Sequence, residues 1–418
     1  MIARAIGPYP QVCFSFRMPM VRLVHVLLTL LPLGSCVVYE PAAIDLATWT
    51  ASAPPLPAGA LSFADAVAFA WRHHPDLARL AAEARAAGAD VPATELEATW
   101  EGADEMVAVM VDPLALLRLG QRGAMVDVAT ARQAEALQAL AVARWQLAAR
   151  IAEVYAAATA LAEVETPAFA QDPEPFVRAG LASPVAAATA RGAVAMAAAE
   201  REALATDRLL LLSELRQLLG LPARTPLTLA PVDPAFPRMP AADEASLRRR
   251  PDLVLAVARY EVADAEFRSA VAEQYPSLRL GPDIPLRGGA LDAMAVLRLP
   301  IGAGSRAVAA RERRTAARAE VQTNLLAAGN EAEAAQQRAH AAALRATASS
   351  TAAAASASAL RAAEATLVVD GEAFDQVAER AQMALREAME RREAVVAAAR
   401  AKVQQAVAWG WPTAEDTP

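Results

Sequence analysis

The sequence predicts a mainly α-helical protein. Long antiparallel coiled-coil hairpins form two tandem repeats, with short β-strand pairs set between the helices. Three observations lead there. Segments 123–164, 184–220, 306–368 and 372–409 contain no internal proline apart from Pro184 at a helix start, and proline is the residue a helix interior excludes. Leucines and valines recur at heptad spacing within them. Landmark residues of the first half return in the same order in the second.

The heptads are read directly. Leu140, Leu147, Val154 and Leu161 fall seven apart, with Leu137, Arg144, Ile151 and Ala158 interleaved. Leu204, Leu211 and Leu218 repeat the spacing around Leu215, and Met389, Val396 and Val403 do so again. This is the seam of left-handed helical packing. Residues 306–368 are patterned less clearly; their alanines permit close approach but specify register weakly.

The repeat is carried by three landmarks. His74-Pro75-Asp76-Leu77 returns as Arg250-Pro251-Asp252-Leu253, Arg122 as Arg306, and Gly180 as Gly371. Internal duplication changes the whole fold reading. Each copy would hold a short capped helix, an extended region, a long helix, a glycine turn and a return helix. Ser62 with Asp65 makes a capping-box-like start. Gly180 and Gly371 suit a left-handed turn at a helix end, and Ser183-Pro184 places a capping residue before a first-turn proline.

Between the helices, Thr94–Glu101 alternates without error. Leu96, Ala98 and Trp100 share one face; Glu95, Glu97, Thr99 and Glu101 share the other. Period two is the strand signal. Asp104–Asp112 offers a partner strand across Gly102-Ala103. The second repeat offers Ser277–Gly281 and Ala293–Pro300, which are shorter and restricted by Pro282 and Pro285. A solvated strand face is the plain reading of the glutamates. In a closed, narrow passage the same glutamates would concentrate cations.

The amino end reads as an export signal. Arg17 and Arg22 precede an apolar run from Leu23 to Leu33, about half the ~20 residues a spanning helix needs. Leu33-Gly34-Ser35-Cys36 resembles the bacterial lipobox, which implies cleavage before Cys36 and lipidation of its thiol; an ordinary signal peptide beside a chance cysteine is the alternative. Met18 and Met20 are alternative starts. Removing the three arginines of residues 1–35 takes the net charge from −7 to −10, which argues against nucleic acid as a partner. Cys13 and Cys36 are the two cysteines, so disulfide and thiol chemistry are not expected. His73 and His74 are adjacent and point different ways on a helix, without a partner cluster, so no metal site is assigned. Gly302-Ala303-Gly304-Ser305-Arg306 lacks the Lys-Ser/Thr ending of a phosphate loop and reads as a helix-start turn. No catalytic set is found and no cofactor is expected, so an enzyme is the least favoured reading.

Residues 61–410 resemble the TolC-like outer-membrane factor family. The stretches carrying this are LSFADAVAFAWRHHPDL, RRPDLVLAVARYEVADAEFRSAVAEQYPSLRL, LGLPARTPLTL and PIGAGSRAVAA; LRLGQRGAMVDVA is similar to the cation-efflux (CzcC-like) branch. The resemblance implies a homotrimer in which two strand pairs per subunit build one twelve-stranded outer-membrane β-barrel. The helices would form a periplasmic tunnel, fed by a periplasmic adaptor and an inner-membrane pump, exporting metal cations or drugs. It places Arg178, Gly180, Leu181 and Ser183, with Asp370, Gly371, Glu372 and Phe374, at the periplasmic tip where the adaptor docks. The expected organisation is a leader at 1–35, a lipid-anchored linker at 36–60, repeats at 61–240 and 241–411, and a tail at 412–418. Two departures stand out. The first arm, Arg122 to Gly180, is one heptad shorter than Arg306 to Gly371 and carries Pro167, Pro173 and Pro175. The short second strand pair leaves open a second function, a periplasmic coiled-coil spacer without a pore or a degenerate paralogue.

Overall fold

The computed structural model describes residues 11–17, 55–56, 59–89, 97–101, 106–110, 121–165, 173–180, 182–233, 236–275, 277–285, 292–298, 304–367 and 374–412. In chain order the elements are β1 (Gln11–Arg17), α1 (Phe63–His73), α2 (Pro75–Ala89), β2 (Glu97–Glu101), β3 (Met106–Met110) and α3 (Gln121–Ala162). They continue with α4 (Glu174–Arg178), α5 (Pro184–Leu218), α6 (Glu244–Arg248), α7 (Pro251–Ala272), β4 (Ser277–Pro285), β5 (Asp292–Arg298), α8 (Gly304–Leu367) and α9 (Phe374–Ala408). The four long segments predicted from proline spacing are helices within two residues of their expected starts and ends. None of the described helices is long and apolar enough to cross a membrane.

The repeat is visible in the helix starts. Pro75 and Pro251 each open a helix, where a missing N–H costs nothing. The short helices before them are capped alike: Ser62 accepts from the Asp65 N–H at 3.2 Å, and Asp243 accepts from the Ser246 N–H at 2.8 Å. That second cap was not foreseen. The hydrogen bond holds the Asp243 carboxyl below the usual carboxylate range.

By compactness the chain forms two units, each drawing on both repeats: Met1–Thr48, Leu80–Leu140 and Asp252–Asn324 form one, the remaining segments the other. The first holds a five-stranded antiparallel sheet in the order β1-β5-β4-β3-β2. The expectation of a short second strand pair is corrected: β4 has nine residues and β5 seven, against five each for β2 and β3. Pro282 and Pro285 lie inside β4, paired with Ala293 and Met106. In an antiparallel ladder each N–H serves one side only, so a proline removes at most one bond and the pairing survives around it. β1 comes from the predicted leader and runs along β5 from Gln11↔Arg298 to Arg17↔Asp292.

The helices of this unit are joined largely by charge. Arg132 meets Glu266 at 2.7 Å, Arg268 meets Asp127 at 3.3 Å, and Arg314 meets Asp264 at 3.1 Å while its guanidinium sits 4.9 Å over Phe267. Their apolar cluster is small, with Ala270, Ala307 and Ala310 beside Phe267 and Val271. Exposed ion pairs contribute little each, so this unit has a thin core of its own.

The second unit has the larger core. Ile151, Val154, Ala158 and Leu161 of α3 pack on Val67 and Ala70 of α1 and on Leu211, Leu215 and Leu219, as the heptads predict. Of the interleaved heptad positions, Arg144 is exposed, and Leu137, on the part of α3 that belongs to the first unit, is half exposed. Tyr155 ties distant loops by donating to the Ala230 carbonyl at 2.7 Å, and the Leu61 N–H donates to the Thr228 carbonyl at 2.8 Å. Phe63, Phe236 and Trp411 form an aromatic knot with centroids 4.8–5.5 Å apart. Gly410 has φ +93°, and an added Cβ would lie 3.2 Å from the Ser246 carbonyl. Gly410→Ala is therefore expected to cost about 1–3 kcal/mol, read as a lower urea midpoint.

Candidate functional site

The sequence singles out two groups of residues, and the structure describes part of each. The first lies at one end of the hairpins. α3 stops at Ala162; after Pro173 the chain forms only the short α4, as the prolines predict. Gly180 then takes φ +73°, with its N–H on the Val177 carbonyl at 3.0 Å. Ser183 caps α5, accepting from the Ala186 N–H at 3.0 Å, and its hydroxyl donates to the Asp375 carboxylate at 3.3 Å. Phe374 opens α9 fully buried, its ring 4.9 Å from that of Phe176. Around it stand Val377, Ala378 and Ala381 of its own helix, Leu360 and Ala363 of α8, and Ala186 and Ala190 of α5.

Arg178, Gly180, Ser183 and Phe374 are thus gathered at one end of four helices. Arg178 bends back, its Nε donating to the Glu174 carbonyl at 3.4 Å. Leu181, Asp370, Gly371 and Glu372 lie outside the described residues. Phe176 and Asp375 are members that the sequence reading missed. Asp375 stands in the first turn of α9, where a carboxylate complements the helix dipole; that was the available signal.

The same end shows how the return helices lie. Ser183 meets Asp375, and further along the same pair Glu200 meets Arg392 at 2.9 Å. Both contacts advance in the same direction on each helix, so α5 and α9 pack parallel and in register. They are equivalent helices of the two repeats.

The second group is the acidic strand. Glu97 and Glu101 are the two ends of β2, paired with Met110 and Met106 of β3. Glu95 and Cys36 lie outside the described residues. His73 packs on Phe69 at 4.7 Å, and His74 Nδ1 accepts from the Asp76 N–H at 3.3 Å. Among the described residues no cluster of His, Cys, Asp or Glu could hold a metal ion.

No family model and no curated protein matches the sequence. Solved structures do match its fold. The outer-membrane channel OprN superposes with a TM-score of 0.69 over 83% of this chain and 89% of that one, at 18% identity. CusC, described with the folding and formation of a transmembrane channel, gives 0.66 over 83% and 92% at 15% identity. The Neisseria gonorrhoeae MtrE outer-membrane channel, in its open state, gives 0.65 over 83% and 88% at 17% identity. The chain therefore has the fold of these outer-membrane channels along most of its length, in agreement with the TolC-like resemblance read from its sequence.

Proposed function

We propose that this chain is one subunit of a homotrimeric outer-membrane channel of the TolC-like family, a passive conduit from periplasm to exterior within a tripartite efflux system. The observation that carries this reading is the channel fold over 83% of the chain. The mature subunit is anchored by lipid on Cys36. Arg178–Ser183 and Asp370–Phe374 form the periplasmic end that meets the adaptor, and an inner-membrane pump supplies the cargo, metal cations or drugs. Glu95, Glu97 and Glu101 line the lumen and attract cations.

Edge chemistry supports a closed trimer. In the sheet, β2 ends one side, and the far edge of β5 is covered only by residues 11–17, which leave with the leader. A four-stranded mature sheet then has two open edges, and backbone groups in lipid require partners. Three copies closing edge to edge supply them in twelve strands. The spacer alternative drew its support from a short second strand pair, and β4 with β5 is the longer pair.

The test is conductance. The purified protein in planar bilayers is expected to give discrete, cation-preferring steps. Replacing Glu95, Glu97 and Glu101 together by Gln is expected to bring the cation-to-anion permeability ratio towards unity while steps persist. A protein that folds and inserts but never conducts would leave the spacer reading in place. Unchanged selectivity in the triple variant would remove the lumen role alone.

A further inference from the structure

Glu200 is a carboxylate placed where the helices leave it little water. It is 7% exposed, on the α5 face that packs against α9, in line with the buried Ala193 and Ala197. Its partner is Arg392 of α9, with Nη1 2.9 Å from Oε1. Yet Nη1 is buried without a directed hydrogen bond, as is Nε of the neighbouring Arg391. The same Nη1 lies 3.7 Å from the carboxylate of Asp207, two turns further along α5 and half exposed. Glu393 adds a third negative charge from α9. One guanidinium thus stands between two carboxylates of the opposite helix and satisfies neither fully. A cleft of about 530 Å³ lies alongside, lined by Asp207, Glu214, Arg392, Glu393 and Arg400, so water reaches the partners of Glu200.

We propose that this cluster makes the α5–α9 contact responsive to pH: proton uptake by Glu200 removes a buried negative charge and frees Arg392 to pair with Asp207, which tightens the two helices, and ionisation loosens them. Burial, reinforced by Asp207 and Glu393 and opposed by Arg392, pushes the Glu200 carboxyl above the usual carboxylate range. A folded-state value raised in this way gives stability that is fully present below the ordinary glutamate value and is lost as pH rises through the raised one. The consequence is specific to this pair. α5 and α9 are the return helices of the two hairpins, and the Ser183–Asp375 contact joins the same pair at their start. The proposal concerns that packing and does not require the chain to conduct.

Hydrogen exchange on the full-length protein in detergent, from about pH 5 to about pH 8 and corrected for intrinsic rates, tests it. Amides around Glu200 and Arg392 are expected to lose protection several-fold as pH rises. Glu200→Gln is expected to hold the acid-side protection at every pH. Asp207→Asn, at an exposed position that folding tolerates, is expected to move the transition to lower pH, because Glu200 then keeps Arg392 and loses a repelling neighbour. Wild-type protection that does not change with pH overturns the proposal. So does a Glu200→Gln protein that retains the full response. Should Glu200→Gln not fold, an Asp207→Asn transition at the wild-type pH overturns it on its own.

Discussion

Arg250→Ala is expected to destabilise the protein by about 3 kcal/mol, the lower end for breaking a buried charge pair. Arg250 is 4% exposed. Its guanidinium donates to the Ala408 carbonyl at 2.9 Å and to Glu331 Oε2 at 2.8 Å, and stands 5.6 Å from the Trp145 ring. The loss is unequal among these. Glu331 is 56% exposed and returns to water at little cost. The Ala408 carbonyl, at the end of α9, loses a donor in a buried place, and a cavity opens beneath Trp145. Arg250→Lys is expected to fall between wild type and Ala, since an ammonium is a point charge and cannot reach both acceptors in the planar fork. Urea unfolding checks both variants. A change below about 1 kcal/mol for Ala would mean that water replaces the guanidinium.

Phe374→Ala is expected to cost about 3–5 kcal/mol, as for a buried aromatic cut to a methyl. Its effect is confined to the hairpin end. Phe374 is fully buried against Val377, Leu360 and the Phe176 ring, far in sequence from the Tyr155 core. Hydrogen exchange is expected to rise at the starts of α5 and α9 while α1 and the middle of α3 keep their protection. Under the proposed function, crosslinking of this end to a periplasmic adaptor falls with it, as it does for Asp370→Ala with Glu372→Ala. Loss of protection throughout the second unit would show instead that the end is not an independent element.

Much of the architecture was legible because its signals are local. Pro75, Pro184 and Pro251 mark first helical turns by the geometry of one ring, Gly180 marks a left-handed turn, and Ser62 and Ser183 cap through a bond spanning three residues. Heptads place Ile151, Val154, Leu215 and Val403 in the core because a helix carries its own period. Alternation marks the first strand, at Thr94–Glu101, but the relative lengths of the two pairs were misjudged. Pro282 and Pro285 look like terminators when only one chain segment is read, and the ladder on either side of β4 outweighs two missing donors. Family resemblance rather than spacing singled out Ser183 and Phe374, and the residues they meet, Asp375 and Phe176, carried no such mark.

What the sequence determined by itself is the long helices and their punctuation, since each rests on interactions within a few residues of one chain segment. What only the tertiary structure decided is the work of the isolated polar side chains. Arg250 finds its acceptors on Ala408 and Glu331, 158 and 81 residues away; Tyr155 reaches Ala230; Glu200 meets Arg392. A lone arginine or glutamate in an alanine-rich helix is unremarkable until another helix shuts out its water, and only then does one charge acquire an energy large enough to matter.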